Sequence, residues 1–136
     1  MKKLLLIIPF FMLATGCKKT AEKVSDDLIV QAMTSGQWVM TSFIDNGIDR
    51  TSDFSAYKFQ FYSNKTVSAI RNGAVENTGT WDGSTATQSI WAGFTGASNP
   101  INLISGTWVI TNNSWTFVEA RKTEGADVKT LRLDKL

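Results

Sequence analysis

Histidine is absent from this chain, and cysteine occurs once, as Cys17, among its 136 residues. Disulfides need a second thiol, and most zinc sites and much of nucleophilic and acid–base catalysis depend on imidazole or thiol side chains. No nucleophile motif takes their place. The sequence therefore predicts a protein that is not an enzyme, with no catalytic residue, no metal and no cofactor.

An excess of one charge is also absent. Lys and Arg number 14 and Asp and Glu 12, and without Lys2 and Lys3 the balance is 12 against 12. A nearly neutral chain offers no basic face to attract a phosphate backbone. Nucleic acid is therefore not an expected partner.

The N-terminus carries an apolar run that is too short to span a bilayer. Lys2 and Lys3 precede residues 4–13 (LLLIIPFFML), whereas a transmembrane helix needs roughly 20 apolar residues. A basic start, a short apolar core and the following Ala-Thr-Gly are typical of a cleaved secretory signal peptide, predicted here over residues 1–16.

Cys17 follows this segment directly, an arrangement that resembles the lipobox of bacterial lipoproteins, with Leu13 one place farther from the cysteine than is usual. The resemblance implies cleavage before Cys17 and acylation of its thiol and new amine with palmitate-type chains, which together hold a membrane stably. An ordinary secreted protein with a spare thiol is the alternative. Lys18 stands where the enteric sorting rule places the Asp that retains a lipoprotein in the inner membrane. This favours a cell-envelope protein of the outer membrane, on its periplasmic or surface side.

Residues 17–24 are predicted to be the lipidated cysteine and a polar tether, and residues 25–136 a single domain. The domain opens with a helix start at Ser25 to Asp27, an apolar stripe at helical spacing and a stop at Gly36. The stripe consists of Leu28, Ile29, Ala32 and Met33. A helix this short needs a surface to pack on.

From Trp38 onward every segment has the pattern of a strand, most clearly the alternation in YKFQF at residues 57–61. Mostly short connections, including the hairpin pair Asn72-Gly73, favour pairing between neighbours, and closure removes exposed edges. The sequence therefore predicts an all-β fold, a small up-and-down antiparallel β-barrel of about eight strands with a short N-terminal helix closing one end. The predicted strands are residues 38–44, 57–61, 66–71, 75–81, 88–94, 103–111, 114–120 and 128–133.

The connections of such a barrel alternate between its two rims. One rim is predicted to carry residues 45–55, 72–73, 95–100 and 122–127, three of which are long connections. The other rim carries residues 63–65, 83–87 and 112–113 together with the helix. The first rim is therefore predicted to be the open mouth, and the helix rim the closed end.

Gly36-Gln37-Trp38 at the first strand, with Arg132 in the last, resembles the lipocalin arrangement. That resemblance implies barrel closure by Arg132 packing across Trp38. Residues 38–81 also look like the lipocalin-like domains of Gram-negative bacterial lipoproteins, which belong to the calycin-type barrels. The shared motifs are a Trp-led strand, an Asp-x-Gly loop, Asp-Arg-Thr then Asp-Phe, Tyr-x-Phe-x-Phe and Gly-Thr-Trp.

Aromatic side chains are the candidates for a binding site. An eight-stranded barrel is either filled by its side chains or holds one small molecule, and both alternatives remain open. The ligand-binding candidates are Ile44, Phe54, Tyr57, Phe59, Phe94 and Ile101. Asp45, Asp49 and Asp53 are expected to serve their turns rather than a metal, and Glu119 is expected to face inward or to pair with an Arg.

Two functions fit these features. The first is a membrane-anchored, lipocalin-like lipoprotein of the cell envelope that binds a small apolar ligand in the barrel mouth. The second is a non-enzymatic interaction module, in which a filled barrel presents its loops to an envelope protein partner. The membrane itself is an expected partner through the lipid anchor.

Overall fold

The computed structural model describes residues 26–136, so the predicted signal peptide, Cys17 and the tether lie outside the described residues. Residues 26–34 form helix α1. No helix within residues 26–136 is long and apolar enough to cross a membrane. The strands that follow are β1 (Trp38–Asp45), β2 (Ile48–Asp49), β3 (Tyr57–Phe61), β4 (Thr66–Arg71), β5 (Ala74–Ser84), β6 (Ser89–Gly93), β7 (Gly106–Asn113), β8 (Phe117–Glu124) and β9 (Asp127–Lys135).

The strands form a closed antiparallel barrel in the order β1-β3-β4-β5-β6-β7-β8-β9, and β9 returns to pair with β1. This closing pair runs from Trp38 opposite Lys135 to Asp45 opposite Lys129. The short strand β2 lies outside the ring of eight, against the end of β1. The predicted fold class is confirmed.

A bulge at Thr41 shifts the register of β1 against β9. Because of this extra residue, Met40 and Phe43 both face the interior although they are three positions apart. The bulge therefore keeps the apolar side of β1 directed inward along its whole length.

Side chains fill the barrel interior. Trp38 and Phe43 are fully buried, and Phe61 packs edge-to-face on Trp81 with ring centroids 5.3 Å apart. A cavity among the central side chains, between Met40 and Leu133, measures only about 20 Å³. That volume admits one water at most, and its walls are apolar. The barrel itself is therefore a packed core rather than a container.

Three connections differ from the predicted ones. Leu103 belongs to a 3₁₀ helix, Ile101–Ile104, and not to a strand. Asn112 and Asn113 end β7, so the turn after them lies at residues 114–116. Residues 122–127 are not a long loop, because β8 and β9 are joined through Gly125 and Ala126 alone, with Gly125 in the left-handed region that such a turn requires.

Candidate functional site

An apolar groove lies at the end of the barrel that carries α1, between that helix and the ends of β6, β7 and β8. We call this end the α1 rim; it includes residues 62–65, 85–88 and 114–116, and the barrel starts and finishes there. The groove has a volume of about 320 Å³, at the lower end of the range of small-molecule sites. Its lining consists of Leu28, Ile29, Ala32, Met33, Trp38, Thr85, Ile90, Ile110, Asn113, Ser114, Trp115 and Val118.

None of these lining side chains is charged, and the three polar ones, Thr85, Asn113 and Ser114, lie at or next to the ends of β5 and β7. The helix stripe predicted from the sequence forms one wall, and it is covered unevenly. Met33 is 2% exposed, whereas Leu28 is 42% exposed. The groove can therefore hold an uncharged apolar group.

Three hydrogen-bonding residues hold α1 against the rim. The carboxylate of Asp26 accepts hydrogen bonds from the backbone N–H and the hydroxyl of Thr85, both at 2.7 Å. The Lys135 ammonium donates to the carbonyl of Ala32 at 3.0 Å, and the Trp38 indole N–H donates to that of Met33 at 2.9 Å. The helix is thus tied at both ends, and its middle bridges the groove.

The Asp26 carboxylate is stabilised as an anion by this arrangement. The hydrogen bond from the Thr85 hydroxyl, followed by that from its backbone N–H, lowers the pKa of Asp26. Asp49, at the opposite end of the barrel, makes the same pair of bonds to Thr51, and they lower its pKa too. The two ends therefore use the same local chemistry, but only Asp26 joins segments distant in sequence.

The opposite end, which we call the plugged rim, comprises residues 46–56, 72–73, 94–105 and 125–126. Two 3₁₀ helices close it, Thr51–Phe54 and Ile101–Ile104. Phe54 and Ile101 are each 1% exposed, and the Phe54 ring lies 4.8 Å from that of Phe43. The expectation that this rim is the open mouth is therefore wrong, because the long connections fold inward as apolar plugs.

Ion pairs cover the plugged rim. Asp45 contacts Arg50 at 3.1 Å and Lys129 at 3.5 Å, and Lys129 also contacts Asp127 at 2.8 Å. The hydrogen bond to Asp127 is the main cause of the raised pKa of Lys129. Asp45 thus serves a salt-bridge network, and Asp49 serves the turn at Thr51. Within residues 26–136 no three potential metal ligands of the His, Cys, Asp and Glu types come together.

The six ligand-binding candidates lie in or next to the packed core. Five of them are buried, namely Phe54, Tyr57, Phe59, Phe94 and Ile101, and Ile44 is half-buried. A ligand could reach four of these buried residues only by displacing core side chains, whereas Tyr57 borders an open polar groove. Their role in binding stays a prediction, and the open apolar space lies at the other rim.

A shallow polar groove of about 560 Å³ lies outside Tyr57 at the plugged rim, beside Arg50 and Arg71. The Tyr57 hydroxyl bonds to the Glu76 carboxylate, and Arg71 lies over the Tyr57 ring at 5.7 Å. Burial, followed by the hydrogen bond to Glu76, raises the pKa of Tyr57. Tyr57 therefore stays protonated near neutral pH and acts as a hydrogen-bond donor.

Arg132 does not pack across Trp38. Its guanidinium lies 4.3 Å from the centre of the Phe117 ring and pairs with Asp134 at 2.9 Å and Glu119 at 3.6 Å. The cation over Trp38 is Lys135, at 5.0 Å. Side chains of β9 alternate between the two faces of the barrel wall. Arg132 lies between two buried leucines and therefore points outward, whereas Lys135 is two residues after Leu133 and points to the same side as the leucines.

Glu119 also points outward and has the Arg partner considered above. Val118 and Ala120 take the inward positions of β8. Residues 114–116 do not belong to a strand, so side chains do not alternate regularly between Trp115 and Glu119. The direction of Glu119 therefore does not follow from that of Trp115. Trp115 is 55% exposed and forms an outer wall of the α1-rim groove.

The sequence contained one usable signal for the groove. The stripe of α1 required a surface to pack on, and that surface is the rim beside Ile90, Ile110 and Val118. No local pattern showed that the stripe would be only partly covered. That outcome depends on where α1 rests, which the contacts of Asp26 and Lys135 determine.

Comparison with solved structures shows the fold. One similar structure is a DUF4847 family protein from Bacteroides vulgatus ATCC 8482, with a TM-score of 0.55, 11% identity and coverage of 78% of this chain and 96% of that one. Another is Japanin from Rhipicephalus appendiculatus bound to cholesterol, with a TM-score of 0.56, 7% identity and 77% coverage of each chain. The fold is lipocalin-like. No family model matches the chain, and no curated protein matches it.

Proposed function

We propose that this protein is a non-enzymatic, lipid-anchored binding protein of the cell envelope that holds a small apolar ligand in the groove of the α1 rim. The observation that carries the proposal is the groove itself, about 320 Å³ of uncharged and mostly apolar lining beside a filled barrel. The lipocalin-like structure bound to cholesterol supports an apolar ligand as the class. The anchor at Cys17 and the outer membrane location are part of the proposal and are supported by the lipobox resemblance.

Ligand binding is tested with the chain from residue 18 onward, which contains α1 and the whole closed barrel. A fatty acid carrying bromine on its chain quenches tryptophan on contact, and Trp115 and Trp38 line the groove. We expect saturable quenching below the concentration at which the fatty acid forms micelles. Unchanged emission through the titration would exclude this ligand class from the groove.

Ala32→Phe fills the groove from α1 without touching the barrel core. It is expected to abolish the quenching while the unfolding midpoint stays close to that of the wild type. Ala56→Phe is the matched control, because Ala56 is an exposed alanine at the plugged rim. Equal quenching in both variants would place the bound fatty acid elsewhere.

The anchor has an independent test in the full-length chain. Cys17→Ser removes the thiol that would carry the lipid, so the protein should pass from the membrane fraction to the soluble fraction. Unchanged retention in membranes would refute lipidation as the means of attachment.

The filled interior and one surface feature favour a second function, binding of an envelope protein. Trp91 and Val109 lie on neighbouring strands of the outer wall and are 45% and 52% exposed. Apolar side chains exposed side by side are typical of protein contacts. A photo-crosslinker at position 109 should then give one discrete adduct in cells, and a diffuse smear would argue against a defined partner.

A further inference from the structure

The exposed large hydrophobic side chains differ in kind between the two rims. Those of the plugged rim are aliphatic, namely Ile48, Val75 and Val128. Those of the α1 rim include both of the exposed rim aromatics of the described residues, Trp115 and Tyr62, together with Leu28 and Leu136. Tryptophan and tyrosine combine an apolar ring with a polar atom and favour the boundary between water and lipid.

Three of these α1-rim residues lie at or next to the groove, whereas Tyr62 stands at the β3–β4 connection of the same rim. Trp115 and Leu28 line the groove on opposite sides. Leu136 is held next to it, because its backbone N–H donates to the carbonyl of Gln37 at 2.9 Å, and its neighbour Lys135 donates its backbone N–H to the carbonyl of Thr116. Exposed apolar side chains therefore flank the groove at this end of the barrel.

One ion pair and two hydrogen-bonded charged groups lie at this end. Lys65 contacts Asp82 at 2.5 Å, Asp26 is bonded to Thr85, and the Lys135 ammonium bonds to the carbonyl of Ala32. Asp26 and Asp27 add two carboxylates to this rim, so it has no excess of basic over acidic side chains, and its attraction to lipid comes from apolar contact rather than from anionic headgroups. Its binding should therefore not require an anionic lipid.

The described part of the chain also begins at this end of the barrel. Asp26, the first described residue, lies at the α1 rim, so the chain leading to Cys17 leaves the barrel there. Residues 17–25 can span at most about 30 Å when fully extended. A lipid anchor at Cys17 would thus hold the α1 rim, rather than the plugged rim, nearest to the bilayer.

We infer that the α1 rim lies directly on the lipid bilayer, with Trp115 and Tyr62 at its surface and the groove opening onto the acyl chains. The source of the apolar ligand is then the bilayer itself. The orientation rests on the proposed anchor, whereas the affinity of the rim for lipid does not, so the rim can be tested in the anchorless chain.

Vesicles of phosphatidylcholine brominated on its acyl chains test this contact, since only tryptophans that reach the bilayer are quenched. Trp115 and Trp91 make a matched pair, because they are 55% and 45% exposed on different faces and the remaining three tryptophans are buried. We expect Trp115→Ser to remove most of the quenching and to weaken partitioning into vesicles about tenfold. Trp91→Ser should retain both the quenching by the vesicles and the partitioning into them. The reverse result, equal losses in the two variants, or no quenching of the wild type would overturn the inference.

Ala32→Phe separates this inference from ligand binding. The variant fills the groove but leaves Trp115 and Tyr62 in place, so it should still be quenched by the vesicles after losing fatty-acid binding. Vesicle contact without fatty-acid binding in the wild type would refute the proposed ligand and leave the membrane surface standing. Fatty-acid binding without vesicle contact would refute the membrane surface and leave the proposed ligand standing.

Discussion

The two ends of this barrel are closed in different ways. At the plugged rim, connections between consecutive strands fold into the barrel and bury Phe54 and Ile101 to 1% exposure. At the α1 rim, a helix from outside the strand sequence rests across the opening, held by Asp26 and by the carbonyls of Ala32 and Met33. The first closure is a plug and the second is a bridge, and the bridge leaves an apolar groove of about 320 Å³ beneath it, whereas the groove outside the plug is polar.

The difference shows that the length of a connection does not predict an opening. A long connection that carries a large apolar side chain, such as Phe54, is stabilised when that side chain leaves water. A helix with only one apolar stripe buries that stripe incompletely when the rim is wider than the helix. We therefore expect substitutions in the plug and the core to change the free energy of unfolding most, and substitutions in α1 to change ligand binding most.

Trp38→Ala should have the largest effect, because Trp38 is fully buried and joins the core to α1. We expect a loss of about 3–5 kcal/mol in the free energy of unfolding, measured by urea denaturation. The carbonyl of Met33 also loses its donor, so the amides of α1 should exchange faster. A cost below about 1 kcal/mol would show that Trp38 is not a closure residue.

Phe54→Ala removes the plug from the other rim. The expected loss is about 3–5 kcal/mol in the free energy of unfolding, without the loss of α1 protection seen for Trp38→Ala. Leu28→Ala is the control at the α1 rim, where the side chain is 42% exposed and the cost should be well under that of Phe54→Ala. Similar costs at the two rims would contradict the distinction between plug and bridge.

Acid should loosen the attachment of α1 to the rim. Since the bonds to Thr85 lower the pKa of Asp26, its contribution is fully present above the ordinary pKa of about 3.9 and is lost as pH falls through the lowered value. Hydrogen exchange of residues 26–34, corrected for intrinsic rates, should therefore accelerate on acidification below about pH 4.

Asp26→Asn is expected to remove most of this pH dependence and to leave α1 less protected at neutral pH. Asp49→Asn is the matched control, because the Asp49 carboxylate makes the same two bonds to Thr51 at the plugged rim. An identical acid response of α1 in wild type and Asp26→Asn would show that another group fastens the helix.

The smallest expected effect concerns the cation over Trp38. Lys135→Met should shift the emission of the buried tryptophans and cost about 0.5–1 kcal/mol, since Lys135 lies 5.0 Å from the Trp38 ring. Arg132→Met should leave the emission unchanged because Arg132 covers Phe117. A shift with Arg132→Met alone would restore the lipocalin-type pairing suggested by the sequence.

Much of the barrel followed from local pattern. The bounds of β3 and β4 were predicted correctly because alternation and turn residues define them without tertiary information. The end of β7 and the start of β8 were misplaced, because Asn112 and Asn113 have the composition of a turn but lie within a strand. Leu103 was assigned to a strand because a short apolar run fits a strand and a 3₁₀ helix equally well.

Periodicity and turn chemistry act over a few residues, so the amino-acid pattern specifies the all-β barrel, its neighbour pairing and a short amphipathic helix. Three features are settled only in the folded chain: the long connections become plugs, Lys135 rather than Arg132 covers Trp38, and the groove lies under α1. These features arise where segments far apart in sequence meet, as Asp26 and Thr85 do. Their outcome depends on the width of the rim and the phase of the strands, which no local pattern specifies.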